Sequence, residues 1–123
     1  MNLSEYEKLE QVLSDTAKSI RDAKRKSYTA GNEDVLWNFK RDGNETGIGP
    51  MQNWLQHLLK QVAAVVSYVK HPDVKPSESF LSRLSDIRNY TTLGLGLAVD
   101  EGREMIVTDP TSKITVHKDG DYE

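Results

Sequence analysis

An apolar face along residues 50–70 constrains the fold of this chain more than any other feature of its sequence. Pro50 suits the first turn of a helix, and Pro72 lies just beyond the expected helix end. Over about five turns, apolar residues recur at helical spacing, at Met51, Trp54, Leu55, Leu58, Leu59, Val62, Val65, Val66 and Val69. The pattern predicts a helix from about Pro50 to Lys70 that packs against other helices.

The N-terminal segment predicts a second long helix, which starts at Asn2 or after Ser4 and continues to about Tyr28. Ser4 followed three residues later by Glu7 predicts a capping box at its start. Its apolar residues lie on one helical stripe, at Tyr6, Leu9, Leu13, Ala17 and Ile20.

Between these two helices the sequence predicts a break, a short helix and a loop. Gly31 and Asn32 tolerate positive φ and therefore end the first helix. Residues 33–41 predict one or two helical turns around Leu36 and Phe39. Three glycines within residues 42–49 predict a loop.

A third long helix is predicted from a Ser77 cap to about Glu101. Gly94 and Gly96 weaken it as a helix, so we expect them to allow close approach of another backbone. After it, residues 105–117 read as strand, turn, strand.

The predicted fold class is all-α. A bundle of three long helices and one short helix occupies residues 1–102. Residues 103–123 form a C-terminal β-hairpin or a mobile tail of the same domain, since a lone hairpin is marginal in water.

The composition excludes several classes of protein. The 123 residues fit one domain, and the absence of cysteine excludes disulfide scaffolds and thiolate sites. A net charge of −3 argues against a DNA-binding surface. Residues 58–69 are apolar but too few to span a membrane, and the N-terminus lacks a signal-peptide pattern. We therefore expect a cytoplasmic protein with no membrane or DNA partner.

Polar residues beside the apolar stripe of the third long helix are the first candidates for a site. Asp86 and Asn89 share a face, with Arg83 and Tyr90 adjacent and Glu78 two turns before Asp86. Carboxylates that project into a bundle can hold Mg²⁺ and, through it, a phosphate. The alternative is a solvated face with a weak Arg83–Asp86 ion pair.

The helix over residues 50–70 offers His57, Lys60 and Gln61. The stem of Lys60 is expected to lie along the core while its ammonium reaches a phosphate or a carboxylate. Asp86 is the expected partner if the two helices are antiparallel. His57 is either a general base or, as is commoner, a surface residue or one whose polar atoms are satisfied by neighbours.

A third candidate group combines cations with aromatic rings. Its members are Lys24, Arg25, Lys26, Tyr28, Trp37, Asn38 and Phe39. Such a group suits a ligand that carries phosphates and a base, because a base stacks on a ring. The alternative is that the cations stabilise the helix dipole and the rings close the core.

The order of these motifs resembles the phage nucleotide modification associated domain 1, a relative of the MazG-like all-α nucleotide pyrophosphohydrolases. The resemblance covers about residues 20–101. It implies a phage-encoded bundle that binds nucleotides and assembles as a homo-oligomer. The residues that carry it are Lys26-x-Tyr28, Asp34-x-Leu36-x-Asn38-Phe39, Gly47-Ile48-Gly49-Pro50, Trp54, Lys60 and Asp86-Ile87-x-Asn89-Tyr90.

The chain departs from the MazG-like pattern where that pattern holds a metal. MazG-like enzymes bind Mg²⁺ through E-x-x-E on one helix and E-x-x-D on the next. Here residues 50–70 contain no carboxylate, and Arg83-x-x-Asp86 replaces the second motif. Glu78 and Asp86 remain as candidate metal ligands and catalytic residues.

These observations leave three functions. The favoured one is a protein that binds or sequesters a nucleotide or a signalling nucleotide, through Lys60, Arg83, Asn89, Tyr90, His57, Lys26, Tyr28 and Trp37. The first alternative is a Mg²⁺-dependent (d)NTP pyrophosphohydrolase with Asp86 and Glu78 on the metal. The second is a protein-binding inhibitor of a host factor. The first two require Lys60 and Asp86 to line one cleft.

Overall fold

A computed structural model describes residues 1–29, 33–108 and 114–118, and the side chains of residues 1–25 and 33–106. The chain is predominantly helical, which confirms the all-α class. No helix in the described residues is both long and apolar enough to cross a lipid bilayer. The elements are α1 (Leu3–Thr29), α2 (Trp37–Thr46), α3 (Pro50–Lys70), α4 (Phe80–Asp100), β1 (Glu104–Thr108) and β2 (Ile114–Lys118).

The first helix is capped two residues earlier than the Ser4–Glu7 prediction. The backbone N–H of Asn2 donates to Glu5 Oε2 and the N–H of Glu5 donates to Asn2 Oδ1, each at 2.9 Å. This reciprocal pair is a capping box, and it places Ser4 inside the first turn. The alternative start at Asn2 is therefore correct.

The cap of α4 also differs from the prediction. Ser79, not Ser77, accepts the N–H of Ser82 at 3.0 Å and begins the helix. Ser77 Oγ instead accepts a hydrogen bond from Arg83 at 3.2 Å.

The short helix α2 is longer than predicted, because Gly43 is a packing residue of the helix and not part of a loop. A side chain at Gly43 would collide with the backbone of Gly49 and Pro50. The N–H of Gly49 donates to Gly43 O at 3.0 Å across this contact. The helix ends only at Gly47, whose φ of 76° is left-handed.

Helix α4 is central: it packs against both α1 and α3, while α2 packs mainly against α3. Trp54 of α3 fixes this packing, since its Nε1–H donates to Tyr90 O at 2.7 Å. Its ring also occupies the space where Gly94 lacks a side chain. The sequence predicted that another backbone approaches Gly94 closely. The structure shows that the Trp54 side chain does so instead.

The buried core is small. Leu36, Phe39 and Leu97 form its centre, and partly buried side chains surround them at Met51, Trp54, Tyr90 and Leu93. Ala17 is buried as well, where α1 meets α4. Phe39 of α2 therefore helps to close the bundle, as one reading of the aromatic group predicted, whereas Trp37 of the same group is not in this cluster.

Strands β1 and β2 pair antiparallel, with Glu104 opposite Lys118 and Thr108 opposite Ile114. The predicted turn lies in residues 109–113, which are outside the described residues. The hairpin as a unit therefore stays a prediction.

Candidate functional site

A cavity of about 270 Å³ opens between the four helices. Helix α1 contributes three cations to its wall, namely Arg21, Lys24 and Arg25. The other helices contribute polar and aromatic side chains, namely Asn38, Phe39, His57, Asp86, Asn89 and Tyr90. The wall formed by α1 is therefore cationic, and the walls formed by the other helices carry aromatic rings and side-chain amides.

A buried carboxylate faces the cationic wall. Asp86 is 5% exposed, and its Oδ1 lies 3.3 Å from Lys24 Nζ. The Lys24 side chain is 44% exposed, so it bridges from the buried acid to the open part of the cavity. A half-exposed ammonium in this position can contact an anion while it remains beside Asp86.

Asn89 ties α4 to α1 at the inner end of the cavity. Its Nδ2 donates to the backbone oxygen of Ala17 at 2.9 Å. The small side chain of Ala17 permits this approach. Because the amino group is engaged by α1, the amide oxygen of Asn89 is the atom that can accept a hydrogen bond.

Three rings from three helices form an aromatic wall. His57 and Tyr90 are stacked, with ring centroids 6.2 Å apart and planes 20° apart. Phe39 meets both rings edge-on, with centroid distances of 5.6 Å to His57 and 6.3 Å to Tyr90. His57 is thus half-buried among aromatic rings, so it is not the surface residue that one of the readings expected.

Lys60 does not share a cleft with Asp86, which corrects the central prediction. Lys60 is exposed and is not part of the cavity wall, and the cation beside Asp86 is Lys24. Helix α3 turns Trp54 and Gln61 towards α4, since both bond to α4 residues. Lys60 precedes Gln61 by about 100° around the helix and so faces solvent.

Glu78 and Arg83 line a different cavity, of about 250 Å³, at the far end of α3. Arg83 donates to Gln61 Oε1 at 3.1 Å and lies 3.4 Å from Glu78 Oε2. Glu78 precedes α4, so the two-turn spacing that predicted a shared face with Asp86 does not apply. The predicted Glu78–Asp86 metal pair is therefore not assembled, and neither is the Arg83–Asp86 ion pair.

The remaining predicted residues fall outside the cavity or outside the described side chains. Trp37 is not part of the cavity wall, and the guanidinium of Arg41 lies over its ring at 4.5 Å. Lys26 and Tyr28 are in the last turn of α1, but their side chains lie outside the described residues.

The described residues do not fit a Mg²⁺ site with several carboxylates. Among the described cavity side chains Asp86 is the one carboxylate, and Lys24 already pairs with it. In the same part of the chain, no three metal-ligating side chains gather anywhere. Mg²⁺ binding by Glu78 and Asp86 together is not supported by this geometry.

Sequence reasoning did not place Arg21 in any of the three candidate groups, and it named Lys24, Arg25 and Asn38 only as members of the third group. A signal for Lys24 was present. Ala17, Ile20 and Lys24 follow one another at helical spacing, so Lys24 continues the stripe that packs on α4.

Comparisons of the chain with protein-family models, curated proteins and solved structures found no match. The resemblance to the nucleotide modification associated domain 1 therefore rests on the motifs quoted above and stays a prediction.

Proposed function

We propose that this protein binds, and thereby sequesters, a nucleotide or a closely related phosphate-bearing small molecule in the cavity between its four helices. One observation carries the proposal. The Lys24–Asp86 pair brings a half-exposed ammonium and a buried carboxylate together, opposite an aromatic wall.

The cations of α1 suit the phosphates. Arg21 and Arg25 are exposed at the rim, and Lys24 lies deeper beside Asp86. Arginine binds phosphate through two parallel hydrogen bonds, and lysine acts as a compact charge that can be shared between two anions. Phosphates at this edge would remain near solvent, which lowers the cost of desolvating them.

The opposite wall suits a base. Tyr90 and His57 offer ring faces and edges, while Asp86 and the oxygen of Asn89 accept hydrogen bonds from base N–H groups. The volume of about 270 Å³ is near the lower limit for small-molecule sites. We therefore place a base and part of its sugar inside, with phosphates at the rim.

A matched pair of lysine variants tests the site. Lys24→Gln removes the cation beside Asp86. Lys60→Gln makes the same chemical change at a position of α3 that faces solvent, outside the cavity. Loss of a charge-assisted hydrogen bond corresponds to a loss of affinity of roughly tenfold or more. In calorimetric titrations with a nucleotide panel, we expect that loss for Lys24→Gln and an affinity within about twofold of the parent for Lys60→Gln.

The same proteins should show unchanged helical circular dichroism, so that a loss of binding is not a loss of fold. Equal affinities of parent and Lys24→Gln, or a selective loss in Lys60→Gln, would remove the cavity from the proposal.

A second measurement separates binding from the alternatives. The parent protein is incubated with each nucleotide and Mg²⁺, the products are chromatographed, and the protein is then denatured to release what it retained. Recovery of intact nucleotide supports sequestration. Release of pyrophosphate would show that the protein hydrolyses the nucleotide and does not sequester it. If no nucleotide binds or is cleaved, inhibition of a host factor is the function that remains.

A further inference from the structure

The hydrogen-bonding atoms of the cavity between the four helices narrow the class of base that fits it. Asp86 and Asn89 lie three residues apart on α4 and both line the cavity, and Asn38 of α2 lines it as well. Each of these side chains already makes one polar contact within the protein. These contacts determine which of their atoms remain for a ligand, and whether each of those atoms donates or accepts.

The buried carboxylate of Asp86 keeps acceptor positions for a ligand. Its Oδ1 lies 3.3 Å from Lys24 Nζ, and no hydrogen bond from a described residue reaches its Oδ2. A carboxylate has about four acceptor positions, so Oδ1 can accept a second hydrogen bond beside the lysine. Because Asp86 is only 5% exposed, few waters can reach these positions, and leaving them unmatched is costly. A ligand with two adjacent N–H groups would satisfy both oxygens.

The two amides are oriented by their own partners. Asn89 Nδ2 donates to Ala17 O at 2.9 Å, which leaves Asn89 Oδ1 as an acceptor. Arg41 Nη2 donates to Asn38 Oδ1 at 3.0 Å. Since a guanidinium can only donate, this contact fixes the Asn38 amide and leaves its Nδ2 as a donor. The polar side chains of the cavity wall thus offer acceptors on α4 and an amide donor on α2.

The charges of the cavity place the base, rather than the phosphates, against Asp86. A phosphate beside the buried carboxylate would bring two negative charges together where water solvates them poorly. Arg21 and Arg25 are exposed at the rim, where phosphates can stay hydrated. The aromatic wall of the same cavity offers rings on which a base can stack. The edge of the base therefore meets the polar side chains of α4 and α2.

Guanine is the common base whose edge matches this set of atoms. It presents two adjacent donors, the ring N1–H and the exocyclic amino group, beside one carbonyl acceptor. Adenine would point the lone pair of its N1 at the carboxylate, and cytosine would do the same with its N3. Uracil and thymine have one ring N–H between two carbonyls, so a carbonyl would oppose a carboxylate oxygen. Each of these bases leaves an oxygen of Asp86 unmatched or repelled.

We propose that the ligand of this cavity is a guanine nucleotide, and that the Asp86 carboxylate accepts hydrogen bonds from both adjacent donors of the base. Asn89 Oδ1 adds an acceptor on the same helix, and Asn38 Nδ2 is the donor for the guanine carbonyl. Lys24 stays beside Asp86 Oδ1 and compensates its buried charge. The inference rests on the proposed nucleotide binding and adds the identity of the base.

Nucleoside monophosphates that differ in the base test this contact on the unaltered protein. Inosine monophosphate lacks the exocyclic amino group of guanosine monophosphate, and xanthosine monophosphate has a carbonyl in its place. Loss of a hydrogen bond to a charged acceptor lowers affinity by about tenfold or more. In calorimetric titrations we expect that loss for inosine monophosphate. We expect a larger loss for the monophosphates of xanthosine, adenosine, cytidine and uridine, in which an acceptor opposes the carboxylate.

A matched pair of aspartate variants on α4 tests the role of Asp86. Asp86→Asn replaces one carboxylate oxygen with an amino group, which can donate to the carbonyl of xanthine. Asp100→Asn makes the same change in an acid that also pairs with a lysine, Lys40 at 2.8 Å, but lies outside the cavity wall. We expect Asp86→Asn to bind xanthosine monophosphate more tightly than guanosine monophosphate by roughly tenfold. Asp100→Asn should keep the preference of the parent.

Two results would overturn the guanine assignment while nucleotide binding itself stands. One is a parent protein that binds inosine monophosphate as tightly as guanosine monophosphate, or binds adenosine or a pyrimidine nucleotide more tightly. The other is an Asp86→Asn variant with parental circular dichroism that still prefers guanine. The base panel on the parent decides the assignment even if Asp86→Asn does not fold. Absence of binding to every nucleotide would contradict the proposed function, and the guanine assignment with it.

Discussion

Helices α3 and α4 both contain 21 residues, yet the helix with the continuous apolar face is the less buried of the two. Helix α3 has the continuous apolar face, but Asn53 is the one α3 residue that is buried. Helix α4 buries Ser85, Asp86, Gly94 and Leu97, of which only the last is a large hydrophobic residue.

The difference teaches that small and partnered polar residues, rather than the number of apolar ones, put a helix at the centre of this bundle. Gly94 admits the Trp54 ring. Ser85 Oγ donates to Leu81 O at 2.7 Å, and Asp86 pairs with Lys24. Both buried polar side chains of α4 are thus bonded, which removes most of the penalty for burying them.

The largest expected effect contrasts a leucine of each helix. Leu97 of α4 is 1% exposed and Leu59 of α3 is 54% exposed. Leu97→Ala should lower the free energy of unfolding by about 2–5 kcal/mol, because it leaves a cavity in the core. Leu59→Ala should change it by less than about 0.5 kcal/mol at dilutions where the chain is monomeric.

Urea unfolding followed by circular dichroism measures both free energies. If the two substitutions were equally destabilising at high dilution, α3 would be as buried as α4 and the contrast would disappear. A Leu59→Ala effect that grows with protein concentration would instead sharpen it, since association between chains would then bury Leu59.

A smaller effect is expected at the glycines of α4. Gly94→Ala drives a methyl group into the Trp54 ring and should destabilise the protein by about 1–3 kcal/mol. At Gly96 an added methyl meets only the Leu36 methyl groups at 3.6 Å, an ordinary contact. Gly96→Ala should therefore stabilise the protein by up to about 1 kcal/mol through helix propensity.

Thermal and urea unfolding of the two variants, compared with the parent, checks this prediction. The same sign for both substitutions would mean that Trp54 does not constrain α4 at Gly94.

The smallest effect is expected where α2 is tied to the end of α4. Lys40 pairs with Asp34 and with Asp100, whose Oδ2 is 2.8 Å from Nζ. The hydrogen bond from Lys40, followed by that from the N–H of Leu36, lowers the pKa of Asp34 below its ordinary 3.8. The hydrogen bond to Asp100, followed by that to Asp34, raises the pKa of Lys40 above its ordinary 10.5.

The sign of the pH dependence follows from these two shifts. The contribution of Asp34 is present above pH 3.8 and is lost as pH falls through its folded-state pKa. That of Lys40 is present below pH 10.5 and is lost as pH rises through its own folded-state pKa. Lys40→Met should therefore destabilise the protein by up to about 1 kcal/mol near neutral pH, and less below Asp34's pKa.

Unfolding of the parent and Lys40→Met by urea between neutral and acid pH measures that difference, with solvent-facing Lys60→Met as the control. A difference that stays constant into the acid range would show that Asp34 does not contribute to the pairing.

Local sequence patterns predicted most of the helical framework. The bounds of α3 agree with the prediction from Pro50 to Lys70, because proline and an uninterrupted apolar face mark its ends. The start of α1 was left open between Asn2 and Ser4, and the cap at Ser79 was missed, since several polar residues near each helix start can accept a backbone N–H. Helix α2 was predicted too short because Gly43 suits both a loop and a tight contact.

The candidate site was predicted in part. Asp86, Asn89, Tyr90 and His57 do line one cavity. Lys60, Glu78, Arg83 and Trp37 lie elsewhere, because residue spacing within one helix does not determine which neighbour each face meets.

By itself, the sequence determined that this chain folds into long amphipathic helices, that α4 can be approached closely at Gly94, and that cations cluster late in α1. Periodicity and residue size are local properties, so they can be found without coordinates. Only the tertiary structure decided that α1, rather than α3, supplies the cation beside Asp86. The partner of a buried charge depends on how helices distant in sequence are packed together, and no local pattern contains that information.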